Sequence, residues 1–383
     1  MRQIYDCIVV GGGPAGLYTA INISKNKNVL IIEKKDRLGQ KILVTGNGKC
    51  NITNDMLSSK YYNEDGVTRY FEKYNNIQTV SDFSKMGLET YSDDEGRRFP
   101  LSNSAVSVLD ILLKQVELRQ NIEICVDTDI RNITNVDNLF KISCNNMVVY
   151  GKKVVIAVGS CDVDNILQQL GVRYNAFVPS LVSLKSEKNK GLAGVRVSNV
   201  EVRFSNFVER GEVLFKEDGI SGIVVFNLSA NFARNNIKKG TVYIDLLPDI
   251  AESELASIIS KSLTNNPNYP LTLLLEGFMH KALAKNIESK LFDKNVLAKD
   301  LNRKDIVKLS KMIKNYMVNI VGLSDNNQVN SGGVPIECLT ENLMYKNIEG
   351  LYFVGEVVDI DGVCGGYNLQ WAWTSGKIVG ESI

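Results

Sequence analysis

The hydrophobic pattern predicts a strand, a tight turn, a helix and a second strand within the first 33 residues. Tyr5-Asp6-Cys7-Ile8-Val9-Val10 is a short, mostly apolar run of strand type. It passes straight into Gly11-Gly12-Gly13-Pro14-Ala15-Gly16. Leu17 to Ser24 reads as a helix, and Asn28-Val29-Leu30-Ile31-Ile32-Glu33 as a second buried strand that ends in an acid. Lys34 to Asn54 then has neither helical nor strand period and is polar and glycine-rich. After the Tyr61-Tyr62 doublet, Val67 to Tyr74 suggests a short helix, Glu95 to Pro100 a turn, and Ala105 to Leu118 a helix with apolar residues at helical spacing. Ile122 to Val126, Asp129-Ile130, Phe140 to Cys144 and Val148-Val149 are strand-like. Lys153 to Gly159 is a buried strand ending in small residues (Ala157 and Gly159 among them), the form expected where a sheet edge meets a ligand.

The pattern changes twice more. Val182 to Leu184, Val195 to Phe204, Gly211 to Phe215, Gly222 to Leu228 and Thr241 to Leu246 are short strand-like runs separated by glycine and asparagine, which predicts an inserted, largely antiparallel β domain. Helical periodicity follows in Leu255, Ile258, Ile259 and Leu263, in Leu283, Ile287 and Leu291, and in Ile306, Leu309, Ile313 and Met317. From Gln328 the chain returns to strand and glycine. Gly350 to Asp359 is a strand ending in Gly-Glu and then an acid, and a second glycine-rich turn, Asp361 to Gln370, enters a helix that runs to the C-terminus. The expected division is 1–180, 181–250 (β), 251–327 (helical) and 328–383, an α/β dinucleotide-binding domain interrupted by two insertions.

Composition narrows the picture. With 44% hydrophobic and 23% charged residues the chain has the make-up of a soluble globular protein of two or three domains. A net charge of +1 gives no global electrostatic case for nucleic acid or membrane. No apolar run reaches the length of a membrane-spanning helix, and the N-terminus enters a strand without a signal peptide. The seven cysteines are scattered with no C-x-x-C pair, which fits a reducing cytoplasm and suggests no metal site. The single histidine, His280, lies away from every other motif, so histidine-based metal sites and Ser-His-Asp triads are not expected. Charge is uneven, however. Lys281 to Lys314 holds ten basic residues against four acids, a net of +6, with several basic residues three or four apart. A solvated helix face is the plain reading and a surface for a polyanion such as RNA the functional one.

The opening stretch carries the clearest chemistry. Gly11, Gly13 and Gly16 meet G-x-G-x-x-G between a strand and a helix: the first makes the turn, the second lets backbone approach a pyrophosphate, the third lets helix and strand pack closely. The helix N-terminus offers unpaired N–H groups to phosphate. Glu33, twenty residues after Gly13, suits an unphosphorylated adenosine ribose. The loop after it (Gly39, Lys41, Thr45, Gly46, Asn47, Cys50, Asn51) has the composition of one that wraps a ligand. Arg97-Arg98 is either an anion clamp or a solvated pair.

With both ends read, the chain resembles the HI-0933-like (BaiN/RdsA) NAD(P)/FAD-dependent oxidoreductases, flavoproteins of the two-dinucleotide-binding superfamily. The resemblance rests on residues 11–16, Glu33-Lys34, Gly39-Gln40-Lys41, Thr45 to Asn54, Gly96 to Pro100, Pro179 to Val182, Gly219 to Gly222, Ser331 to Val334 and Gly350 to Gly376. It implies a Rossmann-like FAD-binding domain interrupted by a β and a helical domain. It also implies FAD held at the pyrophosphate by Gly11, Gly12, Gly13, Pro14, Ala15 and Gly16 and at the ribose by Glu33. Thr45 to Asn51 would lie along the pyrophosphate and flavin, and the Ile130 backbone would touch adenine. Gly355, Glu356 and Asp359 would reach the ribityl chain, and Gly365, Gly366, Tyr367, Asn368 and Leu369 the pyrimidine end of the ring. The chain departs from the family in a short Ser160 to Val178 segment, in Ser221-Gly222-Ile223 where many members have Ser-Gly-Pro, and in Lys216-Glu217-Asp218 where a Thr-His pair is common.

No second G-x-G-x-x-G with strand and helix context exists, so NAD(P)H is expected as a transient co-substrate rather than the occupant of its own domain. Reduction of a polarised C=C needs a proton donor, and the candidates are Cys364, then Cys50, with Tyr367 as a third. The family resemblance implies an NAD(P)H-dependent reductase, with uridine in ribosomal RNA (giving dihydrouridine) or a steroid-type enone as substrate. The basic segment 281–314 tilts the expectation towards RNA. An oxidase of a small amine of the aminoacetone kind, and a non-catalytic FAD-bound RNA-binding module, are the alternatives.

Overall fold

The structure, a computed structural model, describes all residues except 1–3, 137, 161–162, 190, 293–294 and 326–328. Cys161, Asp293, Lys294 and the expected boundary at 327/328 fall outside the described residues. Two compact units are present: residues 1–178 with 328–383, and residues 179–327.

The first unit is built on a seven-stranded sheet. Ile4–Val10 lies at its centre, parallel to Val29–Ile32 on one side and to Val148–Ile156 on the other, and Ile122–Cys125 adds in parallel beyond Val29–Ile32. The long strand Val148–Ile156 has two neighbours on its far side. Its first half pairs antiparallel with Leu139–Cys144, which pairs with Ile130–Val136, and its second half pairs in parallel with Leu351–Phe353. Cys7 to Val10, Val29–Ile32 and Val154 to Ile156 are apolar and buried because helices cover the sheet, as parallel strands require. The opening helix, Pro14–Asn22, packs against the closing helix, Tyr367–Ser382, so closely that Gly376 and Gly380 are required: a Cβ on either would lie 2.7–2.8 Å from a carbonyl of the opening helix.

Several local expectations change. Glu95 to Pro100 is not only a turn, since Arg97–Pro100 is the middle strand of a small antiparallel sheet between Thr53–Asn54 and Thr90–Ser92. The loop Lys34 to Asn54 contains a helical turn, Gln40–Leu43, begun at Gly39. Asn175–Ser180 and Val329–Gly333, where the chain leaves and re-enters the first unit, pair with each other.

The second unit is a closed six-stranded barrel with helices. In order around the barrel the strands are Leu184–Ser186, Gly219–Ser221, Phe207–Lys216, Arg196–Phe204, Gly240–Asp245 and Tyr316–Leu323. Two expectations are corrected. Gly222 to Leu228 is not a strand: Gly222 starts the helix Ile223–Arg234, whose apolar run packs on the barrel, so its continuous hydrophobicity reflects a buried helix. Met317 does not extend the helical repeat. The helix Arg303–Lys314 stops at Asn315, and Tyr316–Leu323 is a strand with Tyr316, Val318 and Ile320 inside and Met317, Asn319 and Val321 outside. The final barrel strand therefore comes after the helices.

Candidate active site

The site is assembled from four glycine-bearing turns around the C-terminal edge of the sheet. In the first, the three motif glycines divide by cause. Gly11 has φ +103°, and a Cβ there would sit 2.6 Å from the Ala157 carbonyl oxygen; a Cβ on Gly16 would lie 1.9 Å from the Gly11 oxygen. Both are demanded by the protein's own packing. A Cβ on Gly13 would meet nothing within 4 Å. Gly13 is also the N-cap of the opening helix and gives it no side-chain cap. An open cradle before an uncapped helix start is what a pyrophosphate needs. Glu33 is held for its task by the Gly12 N–H (2.8 Å) and the Lys35 N–H (2.9 Å). The Thr128 and Asp127 N–H groups bond to the Glu33 and Lys35 carbonyls, which brings the 127–130 segment, with Ile130, to the same end. Lys34 is exposed and pairs with Asp129 at 3.5 Å.

The second turn begins where Gly39 donates its N–H to the Gly12 carbonyl (2.8 Å). Gly46 and Asn47 both adopt left-handed backbone, φ +55° and +56°, between Thr45 and Cys50, so the turn coils away from helix and strand alike. The Asn51 Oδ1 is buried and has no hydrogen-bond partner in the protein. A buried acceptor without a donor costs about 1–3 kcal/mol unless a ligand completes it.

The third turn carries Gly355 and Glu356. Gly355 (φ +69°) donates to Ser375 Oγ and accepts from Trp371 Nε1, so the closing helix fixes it. Glu356 accepts from Ser160 Oγ (2.9 Å) and the Asn330 N–H (2.8 Å) with one oxygen and pairs with Lys41 through the other; Gly159 passes beside it. Asp359 is bonded by Asn175 Nδ2 (2.6 Å) and Asn63 Nδ2 (3.2 Å), and burial raises its pKa above the usual carboxylate value.

The fourth turn leads into the closing helix. Asn368 clasps the loop, accepting from the Gly362 N–H (3.0 Å) and donating to its carbonyl (2.9 Å), so its side chain serves the turn while its backbone heads the helix. Asn54 Nδ2 holds the Gly365 carbonyl at 3.0 Å. Gly366 is the N-cap at φ +95° and provides no side-chain cap; a Cβ there would lie 2.6 Å from the Thr53 carbonyl and 2.7 Å from Asn51 Oδ1. Buried Gln370 ties this helix to Thr53 and Thr79 and bonds Thr374 one turn further along it.

Residues 5–382 match the HI0933-like protein Rossmann domain. The chain belongs to the HI0933-like family of FAD-dependent oxidoreductases. It is 31% identical to the 3-dehydro-bile acid delta(4,6)-reductase of Clostridium scindens over 98% of each chain. It is 27% identical to the ribosomal RNA dihydrouridine synthase of Escherichia coli over 97% of this chain and 96% of that one. The fold is shared with the 3-ketosteroid-delta4-(5alpha)-dehydrogenase of Rhodococcus jostii at TM-score 0.52 and 13% identity, over 99% of this chain and 96% of that one.

The residues present fit an FAD: the space at Gly13, the unmatched Asn51 acceptor and two glycine-capped helix starts are together what such a ligand would complete. Of the candidate proton donors in this HI0933-like chain, Cys364 and Tyr367 share the fourth turn, with Cys364 partly exposed. Cys50 is fully buried, and burial pushes its thiol up to about 12. Arg97 and Arg98 are not an open clamp, since Arg97 pairs with Asp93 and Glu95 and Arg98 with Asp55. His280 caps the helix Lys281–Leu291, its Nδ1 accepting from the Ala282 N–H. Among the described residues no cluster of His, Cys, Asp and Glu could hold a metal, and no helix is long and apolar enough to cross a membrane.

Sequence reasoning missed Tyr61, Asn63, Ser160 and Asn330, and held Asn54 and Gln370 only within the motifs Thr45 to Asn54 and Gly350 to Gly376, without a role. What recruits these side chains is contact across 170 to more than 300 positions of chain.

Proposed function

We propose that the protein is an NAD(P)H-driven reductase of a carbon–carbon double bond conjugated to a carbonyl, with a uracil ring of ribosomal RNA as substrate and dihydrouridine as product. The observation that supports the chemistry is the fourth turn, where the start of a 16-residue helix lacks a side-chain cap and meets a buried, partnerless amide oxygen beside groups able to give a proton. Bound FAD would supply hydride transfer. The chain's own contribution is to hold the cofactor at Gly11 to Gly16, Glu33 and Gly365 to Leu369, and to hold a proton near the closing helix. The N–H groups and positive dipole end of that helix favour negative charge, so they stabilise a ring that gains electrons.

Two relatives support reduction of a conjugated C=C, since one is named for a bile-acid reduction and the other for dihydrouridine synthesis. The helix Arg303–Lys314 supports RNA. Arg303, Lys304, Lys308 and Lys311 are exposed along it, whereas Lys314 turns inward to Asp245 and Lys281 pairs with Glu276. The basic surface is thus smaller than the segment's charge suggested. A small steroid-like enone is the second reading, favoured by the relative at 31% identity.

The test is anaerobic mixing of the FAD-loaded protein with NADPH or NADH, then with unmodified ribosomal RNA or 4-androstene-3,17-dione, following flavin absorbance. Bleaching by nicotinamide, reoxidation by RNA and dihydrouridine in the product are the expected result. The triple charge reversal Lys304→Glu, Lys308→Glu, Lys311→Glu should abolish RNA-driven reoxidation and leave NAD(P)H bleaching intact. Reoxidation by the enone alone replaces the substrate, and bleaching only by an amine overturns the reductase.

A further inference from the structure

We infer that Tyr61 is the residue that delivers the proton to the substrate, an assignment that rests on the conjugated-C=C reading above. Three groups with a transferable proton gather at the fourth turn: Cys364, Tyr367 and Tyr61. Tyr367 is buried at 4% exposure, its ring edged by Tyr62 and its backbone carbonyl bonded by the Tyr62 hydroxyl at 2.8 Å. It cannot reach outward. Tyr61 lies flat on Tyr367, ring centroids 4.7 Å apart at 25°, and keeps part of its surface exposed. Of the stacked pair, it is the one open to a molecule lying over the start of the closing helix.

Its position is fixed from both directions. The Val363 N–H donates to the Tyr61 carbonyl (2.9 Å) and the Asn63 N–H to the Asp361 carbonyl (3.1 Å), with Tyr62 bridged to Gly362 between them. The short stretch 61–63 therefore runs as an edge along the loop that carries Cys364, Gly365 and Gly366. Stack and ladder together hold the phenol still, which a proton donor requires. The Lys60 ammonium sits over the Tyr61 ring, 4.8 Å from its centroid, a nearby cation that favours negative charge on the phenol.

The step balances as follows. Bound FAD, reduced by NAD(P)H, would supply the hydride to the β-carbon of the conjugated double bond. As the π electron pair moves to the α-carbon, the Tyr61 O–H bond breaks and a C–H bond forms there. The phenolate left behind, with the Lys60 ammonium over its ring, regains its proton from water. The substrate gains one hydride and one proton, and the nicotinamide is oxidised.

The experiment compares wild type, Tyr61→Phe and Lys60→Met as FAD-loaded proteins. Phenylalanine keeps the stack and removes only the hydroxyl. FAD content, the visible spectrum of bound FAD and binding of 4-androstene-3,17-dione or RNA to the oxidised protein should be unchanged in Tyr61→Phe, as should bleaching by NADPH. Reoxidation by whichever substrate works in wild type should slow by about 100-fold, the scale of a general acid. Lys60→Met should slow the same step by a smaller factor. Reoxidation of Tyr61→Phe at the wild-type rate overturns the assignment, and so does a loss of FAD or substrate binding matching the loss of rate, which would make Tyr61 structural. If reduced wild type is reoxidised by neither probe, the C=C reading itself falls and takes this assignment with it. Slow reoxidation of Tyr61→Phe alone supports both.

Discussion

The closing helix, Tyr367–Ser382, and the helix Arg303–Lys314 begin in opposite ways. Arg303–Lys314 starts at Asn302, whose Oδ1 accepts from the Lys304 and Asp305 N–H groups while Asp305 accepts from the Asn302 N–H. This capping box satisfies the start of the helix from within, leaving nothing for a ligand. Only Leu309, Ser310 and Ile313 of that helix are buried, so it is a surface element with one apolar stripe. The closing helix is buried nearly all round and starts at Gly366, which supplies no side-chain acceptor and cannot tolerate a side chain. Of these two helices, the one on the surface carries its own side-chain acceptor at its start, and the one at the candidate site does not.

The opening helix tests that contrast most severely, because two of its glycines are needed for different reasons. Gly16→Ala should destabilise the FAD-free protein by about 3 kcal/mol or more, since its Cβ collides with backbone. Gly13→Ala should cost the FAD-free protein under about 1 kcal/mol. Its FAD affinity should nevertheless fall on the order of 100-fold, equivalent to about 3 kcal/mol. Thermal unfolding of the FAD-free proteins and fluorescence titration with FAD check both; equal losses of stability in the two variants would remove the argument that the Gly13 space belongs to a ligand. At the far end of the Arg303–Lys314 helix, Lys314 is buried and bonded to Asp245 (2.7 Å) and to the Leu247 and Ile250 carbonyls. Lys314→Met strands the Asp245 carboxylate and should cost about 3 kcal/mol by denaturant unfolding. The smallest effect is expected at the cap itself: Asn302→Ala should lose about 1 kcal/mol, with the spectrum of bound FAD unchanged.

The dinucleotide-binding unit was legible because its signals are local. The glycine spacing, the apolar runs and Glu33 lie within one βαβ unit, and strand, turn and helix each constrain nearby residues. The inserted barrel was legible only in part. Gly222 to Leu228 reads as a strand because the helix it opens, Ile223–Arg234, is buried over most of its surface and has no polar face to reveal its period. Met317 reads as helical because it falls four residues after Ile313, although the chain turns at Asn315 into a strand of the barrel. Charge in segment 281–314 was counted without knowing direction, and the structure turns Lys314 inward and sets Lys290 over the Tyr316 ring.

By itself the sequence determined the Rossmann-type unit, the FAD-dependent oxidoreductase family and the glycines that form the turns of the candidate site. These follow from spacing along a few turns of chain, where covalent connection already places the residues together. Only the tertiary structure decided which side chains complete the site. Tyr61 reaches Tyr367, Asn63 reaches Asp361, Ser160 reaches Glu356 and Gln370 reaches Thr53 across 196 to 317 positions. A hydrogen bond or ring contact depends on a separation of a few ångströms in space, and that separation leaves no period in the sequence.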